Sequence, residues 1–341
     1  MFLLRDVQKS DLIGLKRLAA ELNTVNLPNQ EEVLEALIEK SVRSFNGKIK
    51  EPLQRSYLFV LEDPEIGELV GTSLIIAQHG TYESPHIYYE VSGREHYSAS
   101  IDRHFRHKVL SMGYNYAGPT EIGGLVVDPR HRGTPEKAGR QLSYVRFLFI
   151  AMHLSHFRDT VLAELLPPLL SDGRSLLWEA VGKKFTGLTY QEADRLSQQN
   201  KEFIKELFPA SDIYVSLFPE RTQRVIGEVG KTTRGVKRML ERIGFTYAER
   251  IDPFDGGPHF EAPIEQVSLI RHFQSARLLD EEPAVSAPVC LVGYEPASGR
   301  NRLRGVRTPA ETDGTLVRIS SEAREALKAP LGARLSIVPF D

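Results

Sequence analysis

Residues 121–129, EIGGLVVDP, have the composition of a buried β-strand that Pro129 ends. A polar loop rich in Arg and Gly follows at residues 130–139, RHRGTPEKAG. The next segment, residues 141–154, is apolar on nearly every side of a helix, so we expect it to be buried on more than one face. A strand, a polar loop and a buried helix in this order predict a helix packed on a sheet.

Strands and helices continue on both sides of this segment. Apolar residues at helical spacing predict helices over residues 12–22 and about 30–46, and residues 57–62 and 68–78 flank a turn and predict a β-hairpin. Further strands are expected at residues 2–5, 159–166 and 245–251, and further helices at residues 235–243 and 264–273. The predicted fold class is α+β, with a mixed sheet flanked by helices.

Two segments stand apart from this core. Residues from about 167 to 230 have helical apolar spacing and are interpreted as a helical insertion. Residues 280–284, DEEPA, are typical of a linker, and residues 285–341 contain short strand-like runs around one helix. We therefore predict one large domain over residues 1–279 and a small β-rich C-terminal module over residues 285–341.

The composition excludes several classes of protein. Lys and Arg total 43 against 45 Asp and Glu, and the formal charge of −2 provides no global basic field for nucleic acid or an anionic membrane. No run approaches the ~20 apolar residues of a membrane helix, and the first residues lack the pattern of a secretory leader. The single cysteine, Cys290, cannot form an intrachain disulfide. We expect a cytoplasmic protein that binds neither nucleic acid nor membranes.

The loop after the central strand has the features of an anion site. Backbone N–H groups at Gly133 and Gly139 lead into a helix N-terminus, and Arg132 and Arg140 lie nearby in sequence, which suits a pyrophosphate. Neither a Walker loop nor a G-x-G-x-x-G fingerprint is present. The alternative is a solvated basic loop that joins a strand to a core helix.

With these segments in place, the chain resembles the GNAT acyltransferase superfamily. In that superfamily a central strand, an Arg/Gly loop and a buried helix hold the pantetheine and pyrophosphate of an acyl-coenzyme A (acyl-CoA). The resemblance implies a GNAT-like domain over residues 1–279. The loop between Arg132 and Gly139 is longer here than in the usual motif.

Several segments together are similar to the arginine N-succinyltransferase family. They include LVVDP at 125–129, RFLFIA at 146–151, VGKKF at 181–185 and, most specifically, DPFDGGP at 252–258. The resemblance implies transfer of a succinyl group from succinyl-CoA, a co-substrate, to the α-amine of L-arginine, by direct attack in a ternary complex. It places Leu125 at the donor site, where the backbone of Leu125, Val126 and Val127 can pair with pantetheine amides like an added strand. It implies no metal.

One departure from the family concerns the proton donor. The family carries a histidine two residues after a Gly-Gln or Gly-Glu pair, whereas Gly230 occupies that position here. Glu121, at the start of the central strand, and His259, after the glycine-rich turn, are the candidate catalytic replacements. A surface glutamate and a structural histidine are the respective alternatives.

Acidic residues predict where a cationic acceptor binds. Asp252 and Asp255 flank Gly256 and Gly257, so two carboxylates can face a cation while the glycines allow close approach of the backbone. Asp is also common in turns because it accepts backbone N–H bonds, which is the alternative. Glu164 and Glu261 are further candidates for binding the guanidinium or ammonium group, or are solvated strand ends.

Two other functions are compatible with the sequence. The chain could be an N-acyltransferase that uses another amine or acetyl-CoA. It could also be a catalytically weak subunit that binds acyl-CoA and supports an active homologue. Either a homo-oligomer or a hetero-oligomer is possible.

Overall fold

The structure is a computed structural model, and it describes residues 1–20, 30–197 and 200–341. The helix predicted over residues 12–22 is observed from Leu12 to Ala20, and its last two predicted residues lie outside the described ranges. Residues 198–199 of the predicted helical insertion lie outside them as well. The α+β class is confirmed, because helices flank a mixed sheet.

Strands make up much of the described chain. They are β1 (Leu3–Asp6), β2 (Ser56–Asp63), β3 (Glu68–Ile76), β4 (His86–Ser98), β5 (Arg103–Asn115), β6 (Thr120–Val127), β7 (Thr160–Glu164), β8 (Ile213–Tyr214), β9 (Thr246–Ile251), β10 (Pro258–Pro263), β11 (Gln274–Leu278), β12 (Val289–Tyr294), β13 (Arg304–Thr312), β14 (Leu316–Ile319) and β15 (Arg334–Pro339).

The helices are mostly short. They are α1 (Leu12–Ala20), α2 (Glu31–Phe45), α3 (Ala138–Met152), α4 (Leu176–Ala180), α5 (Gly182–Thr186), α6 (Tyr190–Ser197), α7 (Glu202–Leu207), α8 (Glu220–Gln223), α9 (Arg234–Arg242), α10 (Ser268–Arg271) and α11 (Ser321–Leu327). None of the helices in the described ranges combines the length and the apolar character that crossing a bilayer needs.

The chain forms two compact units. Unit 1 contains Met1–Gln78, Thr120–Asp159 and Pro263–Asp341, and unit 2 contains His79–Pro119 and Thr160–Ala262. These units group residues by contact, so the separation of residues 285–341 as a module of their own stays a prediction.

Unit 1 is built around strands in the order β12-β15-β11-β14-β13-β1-β2-β3-β6. Strand β12 also pairs with β13, which closes β12, β15, β11, β14 and β13 into a ring. Helices α1 and α2 bury Leu15, Leu18 and Leu34 against apolar residues of β2 and β3. Helix α3 buries twelve of its fifteen residues, as its all-round apolar sequence predicts.

Unit 2 has strands in the order β7-β10-β9-β4-β5-β8, with α4 to α9 around them. Its core contains Trp178, which stacks on Phe254 at a ring separation of 5.0 Å, together with Tyr89 of β4 and Leu110 of β5. The core therefore joins the helices of the predicted insertion to the β-sheet of this unit.

The structure differs from the sequence predictions at two places. The helix predicted over residues 264–273 is observed only in two short pieces, a 3-10 helix at Ile264–Gln266 and an α-helix at Ser268–Arg271, and Gln274–Leu278 is a strand. Antiparallel pairing of β11 with β15 begins directly after this segment, where Gln274 faces Ile337. The β4–β5 hairpin was not predicted, because its outer half is exposed and polar and lacks apolar alternation.

Candidate active site

Strand β6 contains a bulge at the position that the sequence assigns to the acyl donor. Its antiparallel partner β3 pairs Thr72 with Val126 and Leu74 with Gly123, so β6 has one extra residue between these pairs. Gly124 has a φ of 55°, which glycine tolerates best. The Val126 side chain is buried and Leu125 is partly exposed, so at Val126 only the backbone can face a ligand.

One arginine of the loop after β6 has a structural role. Arg130 donates to Asp128 and to Glu68, both at 2.8 Å, and a side-chain hydrogen bond from Arg130 holds the pKa of the Asp128 carboxyl well below its usual range. Arg17 donates to the same carboxylate. Asp128 therefore fixes the start of the loop, and Arg130 is committed to that ion-pair network.

The rest of the loop lines a surface pocket of about 600 Å³ in unit 1. Its lining includes all four predicted donor residues of the loop, Arg132, Gly133, Gly139 and Arg140, and also Val127. The Arg132 Nε donates to the Val127 carbonyl at 2.9 Å, which connects the exposed loop to the end of β6. A pocket of this size can take part of a cofactor.

A carboxylate already lies at two cations of this pocket. Lys137 Nζ and Arg140 Nη1 lie 2.8 Å and 2.9 Å from Asp341 Oδ1. The three side chains are partly exposed, so the pairs are weak, about 0–1 kcal/mol each. Asp341 shows that this position attracts an anion, and it would compete with a bound phosphate.

In unit 2, the glycine-rich turn between β9 and β10 holds two aspartates. Asp252 Oδ1 accepts from the amides of Phe254 at 2.7 Å and Asp255 at 3.0 Å, and Asp255 Oδ1 accepts from Gly257 at 2.7 Å. Gly256 has a φ of 83° and its carbonyl accepts from Gly227 at 3.0 Å. Each carboxylate thus stabilises the turn through one oxygen, as the turn-chemistry alternative predicts, and its second oxygen is not used in these bonds.

The surroundings of Asp252 and Asp255 disfavour the ionised form of both carboxyls. Burial, followed by the nearby charge of Glu164, raises the pKa of Asp252 to about 7, and burial and Asp252 raise the pKa of Asp255 well above its ordinary value. Burial also raises the pKa of the neighbouring Asp194 to about 6. Within the described ranges, neither Asp252 nor Asp255 forms an ion pair with Lys or Arg. Two buried carboxyls with no such partner among the described residues are the situation expected of a binding site for a cationic ligand.

Glu164, at the end of β7, lies among histidines. Its Oε1 is 3.3 Å from His86 Nε2 and 3.5 Å from His259 Nε2. Burial lowers the pKa of His259 to about 4, so its imidazole is neutral near pH 7. Burial opposes ionisation of Glu164, but the nearby histidines lower the pKa of its carboxyl.

The structure also shows what surrounds Glu261, Gly230 and Glu121. Glu261 Oε1 lies 3.2 Å from Arg250 Nη1, so part of its charge is already neutralised. A Cβ at Gly230 would lie 2.7 Å from the Pro167 carbonyl oxygen, which leaves no room for the family's histidine without a backbone shift. Glu121 is buried on β6.

The predicted residues fall into two sets. Unit 1 contains the donor residues and Glu121, and unit 2 contains all the predicted acceptor residues and His259. Sequence reasoning missed Asp194, Tyr190, His79 and His86, which belong to the surroundings of the unit 2 site. Asp194 and Tyr190 had no motif to mark them, and the histidines are far from Glu164 in sequence.

Comparison with known proteins shows which family the chain resembles. A family model described as "Arginine N-succinyltransferase beta subunit" matches residues 2–269. The arginine N-succinyltransferase of Escherichia coli (strain 55989 / EAEC) is 32% identical over 344 residues, which cover 99% of this chain and 97% of that protein. The enzyme of the same name from Shigella dysenteriae serotype 1 (strain Sd197) is 32% identical over 342 residues, with 99% and 97% covered.

A solved structure agrees with these relatives. The structure of arginine/ornithine succinyltransferase subunit AI from Pseudomonas aeruginosa is 31% identical and superposes with a TM-score of 0.86, covering 100% of this chain and 99% of that one. The likeness extends over the whole length of both chains. The chain belongs to the arginine N-succinyltransferase family.

Proposed function

We propose that this protein transfers the succinyl group of succinyl-CoA to the α-amine of L-arginine. The observation that carries the acceptor class is the pair of carboxyls at Asp252 and Asp255, which are desolvated and lack a cation among the described residues. A guanidinium or ammonium group would supply the missing charge through charge-assisted hydrogen bonds. The name shared by the relatives supports arginine and the succinyl donor.

On the donor side, we assign the pantetheine arm to the backbone of Leu125, Val126 and Val127. The bulge at Gly124 supports this assignment, because a bulge interrupts pairing and re-aims the strand backbone. We assign the pyrophosphate to the loop pocket, where the first N–H groups of α3 and the cation of Arg140 favour an anion.

The proposed reaction forms one bond, breaks one bond and releases one proton. The neutral α-amine attacks the thioester carbonyl, a C–N bond forms, the C–S bond breaks, and CoA leaves as a thiolate that needs little acid assistance because its pKa is about 8.5. The amine must also lose a proton. His259 and Glu121 are the proposed acceptors, and comparison of His259→Asn with Glu121→Gln separates them by which variant loses kcat.

Acceptor binding at Glu164 is a separate question. Its Oε1 already faces His86 and His259, so we assign the charge that binds arginine to Asp252 and Asp255 and give Glu164 a supporting electrostatic role.

A thiol-release assay on the purified full chain tests the proposal. Succinyl-CoA is offered with L-arginine, L-ornithine, agmatine and Nα-acetyl-L-arginine, and acetyl-CoA serves as the competing donor. We expect turnover with L-arginine, none with Nα-acetyl-L-arginine, and preference for the succinyl donor. Absence of turnover with every amine that has a free α-amino group would contradict the proposal.

A matched pair of variants localises the acceptor site. Asp255→Asn keeps a side-chain oxygen for the Gly257 amide but removes the group that can ionise against a bound cation, and we expect KM for arginine to rise at least tenfold, since a hydrogen bond to a charged group is worth about 1.5–3 kcal/mol. Asp172→Asn removes an exposed carboxylate of the same unit and serves as the control. Equal KM values in both variants would remove Asp255 from the acceptor site.

A further inference from the structure

Three histidines and a glutamate converge in unit 2, and we call them the histidine cluster: His79, His86, Glu164 and His259. The side-chain ligand atoms of His79, His86 and Glu164 all lie within 4.8 Å of one another. The rings of His79 and His86 are 4.5 Å apart, and those of His86 and His259 are 5.2 Å apart and nearly parallel. The cluster therefore brings four ligand-bearing side chains from four places in the chain to one point.

The distances within the cluster suit a small tetrahedral metal ion. Zinc bonds to His nitrogen and carboxylate oxygen are about 2.0–2.2 Å long, so two ligand atoms of a tetrahedron lie about 3.3–3.6 Å apart. Glu164 Oε1 is 3.3 Å from His86 Nε2 and 3.5 Å from His259 Nε2. The edge between Glu164 and His86 therefore already has the length of a tetrahedron edge, and the ligand atom of His79 lies within 4.8 Å of both.

Burial and charge also favour a cation here. His259 is fully buried, and neither of its ring nitrogens makes a hydrogen bond to any residue in the described ranges. A carboxylate with neutral imidazoles forms a donor set of charge −1, which matches a divalent ion. Arg250, whose charge acts on His259, lies over the Tyr88 ring and is paired with Glu261, which reduces its repulsion of a bound cation.

The backbone holds His79 and His86 in place. Gly80 follows His79 with a φ of 84°, and a Cβ there would lie 2.5 Å from the Asn115 carbonyl oxygen and 2.7 Å from the His86 nitrogen. The amide of His79 donates to the Pro119 carbonyl at 2.8 Å. These contacts constrain the backbone that carries both histidines before any ion binds, which favours a pre-organised metal site.

We propose that His79, His86 and Glu164 bind one divalent transition-metal ion, with Zn²⁺ the best match to this donor set. His259 lies against Glu164 and acts as the positioning residue that orients the ligating carboxylate. Two histidines and one glutamate leave the fourth position of a tetrahedral ion open to water. The proposal departs from the family resemblance, which implies no metal, and it does not depend on the acyl transfer.

Metal binding is measured on the full chain without a histidine tag. The protein is treated with a chelator, dialysed, and titrated with Co²⁺ and then Zn²⁺, with calorimetry for stoichiometry and absorption spectroscopy for coordination. We expect one ion per chain, intense d–d bands typical of four-coordinate Co²⁺, and their loss when Zn²⁺ displaces it. Addition of Zn²⁺ should also raise Tm, because only the folded chain contains the site.

Variants assign the site within the chain. His79→Asn and Glu164→Gln should weaken Zn²⁺ binding at least 100-fold, and His259→Asn should weaken it about 10–100-fold, the range for residues that support a ligand. His104→Asn, an exposed histidine of the same unit, and His107→Asn, whose ring lies 5.9 Å from that of His96, are the controls for surface binding.

Two results would overturn the proposal. One is the absence of saturable Co²⁺ or Zn²⁺ binding by the chelator-treated wild-type chain, whose folding circular dichroism confirms. The other is loss of binding in the His107→Asn control with unchanged affinity in His79→Asn. The first result depends only on the wild-type titration, so the proposal can be tested even when a variant of the histidine cluster fails to fold.

Discussion

Replacing Asp252 with Asn isolates the free-energy cost of the buried Asp252 carboxylate. Burial and the charge of Glu164 raise the pKa of Asp252 from 3.8 to about 7. A rise of about 3 pKa units, at about 1.4 kcal/mol per unit, corresponds to about 4 kcal/mol. The Asn side chain keeps an oxygen for the amides of Phe254 and Asp255, so the turn is retained while the titrating group is lost.

The sign of the pH effect follows from proton linkage. The native carboxyl holds its proton to higher pH than the unfolded chain does, so the native state binds more protons between about pH 4 and pH 7. For this group the free energy of unfolding is highest below pH 4, falls as pH rises through this window, and is constant above it. Asp252→Asn should therefore match the wild type near pH 4 and exceed its stability by up to about 4 kcal/mol at pH 8.

Urea unfolding of both proteins from pH 4.5 to pH 8, followed by circular dichroism, measures this difference. Asp172→Asn is the control, because Arg174 lowers the pKa of Asp172 and its removal has the opposite sign. The linkage also predicts that L-arginine releases protons when it binds at pH 6, which calorimetry in two buffers of different ionisation enthalpy detects. Parallel stability curves for the wild type and Asp252→Asn would refute the reasoning.

Two further predictions concern the donor pocket and the missing histidine. Arg140→Met should raise KM for succinyl-CoA about tenfold or more, because it removes a charge-assisted contact with the donor. Asp341→Asn should lower this KM by at most about fivefold, because the exposed Asp341 carboxylate competes with the donor by no more than about 1 kcal/mol. Thiol release measures both values, and an unchanged KM in both variants would exclude this pocket as the donor site. Gly230→His should lower Tm and restore no activity, because its Cβ would lie 2.7 Å from the Pro167 carbonyl oxygen. The control, Gly235→Ala, should leave Tm unchanged or raise it in the same thermal scan, because Gly235 has open space and a helical backbone. A gain of kcat in Gly230→His would contradict the packing argument.

Local sequence pattern predicted the elements that lie on the donor side. The β2–β3 hairpin, β6 and α3 were predicted because their apolar runs are long and are bounded by a turn, Pro129 and a glycine-rich loop. The bulge in β6 was not predicted, since it depends on the register with β3 and Gly123-Gly124 alone does not specify it.

The acceptor side could be predicted only in part. Asp252 and Asp255 were found because they lie in one short string, but the charges that perturb them come from Glu164 and Asp194, far away in sequence. The histidine cluster is assembled from β4, β7, β10 and the loop before β4, and no local spacing connects these elements. Contacts of this kind depend on strand order, which the sequence does not show directly.

The identity of the product tests the central claim most directly. The protein is incubated with succinyl-CoA and L-arginine labelled with ¹⁵N at the α-amine, and the product is examined by mass spectrometry and ¹⁵N-edited NMR. The account predicts a succinyl amide on the labelled nitrogen, formed in step with free CoA. A succinyl group on a guanidino nitrogen, or CoA release without any succinylated arginine, would contradict it.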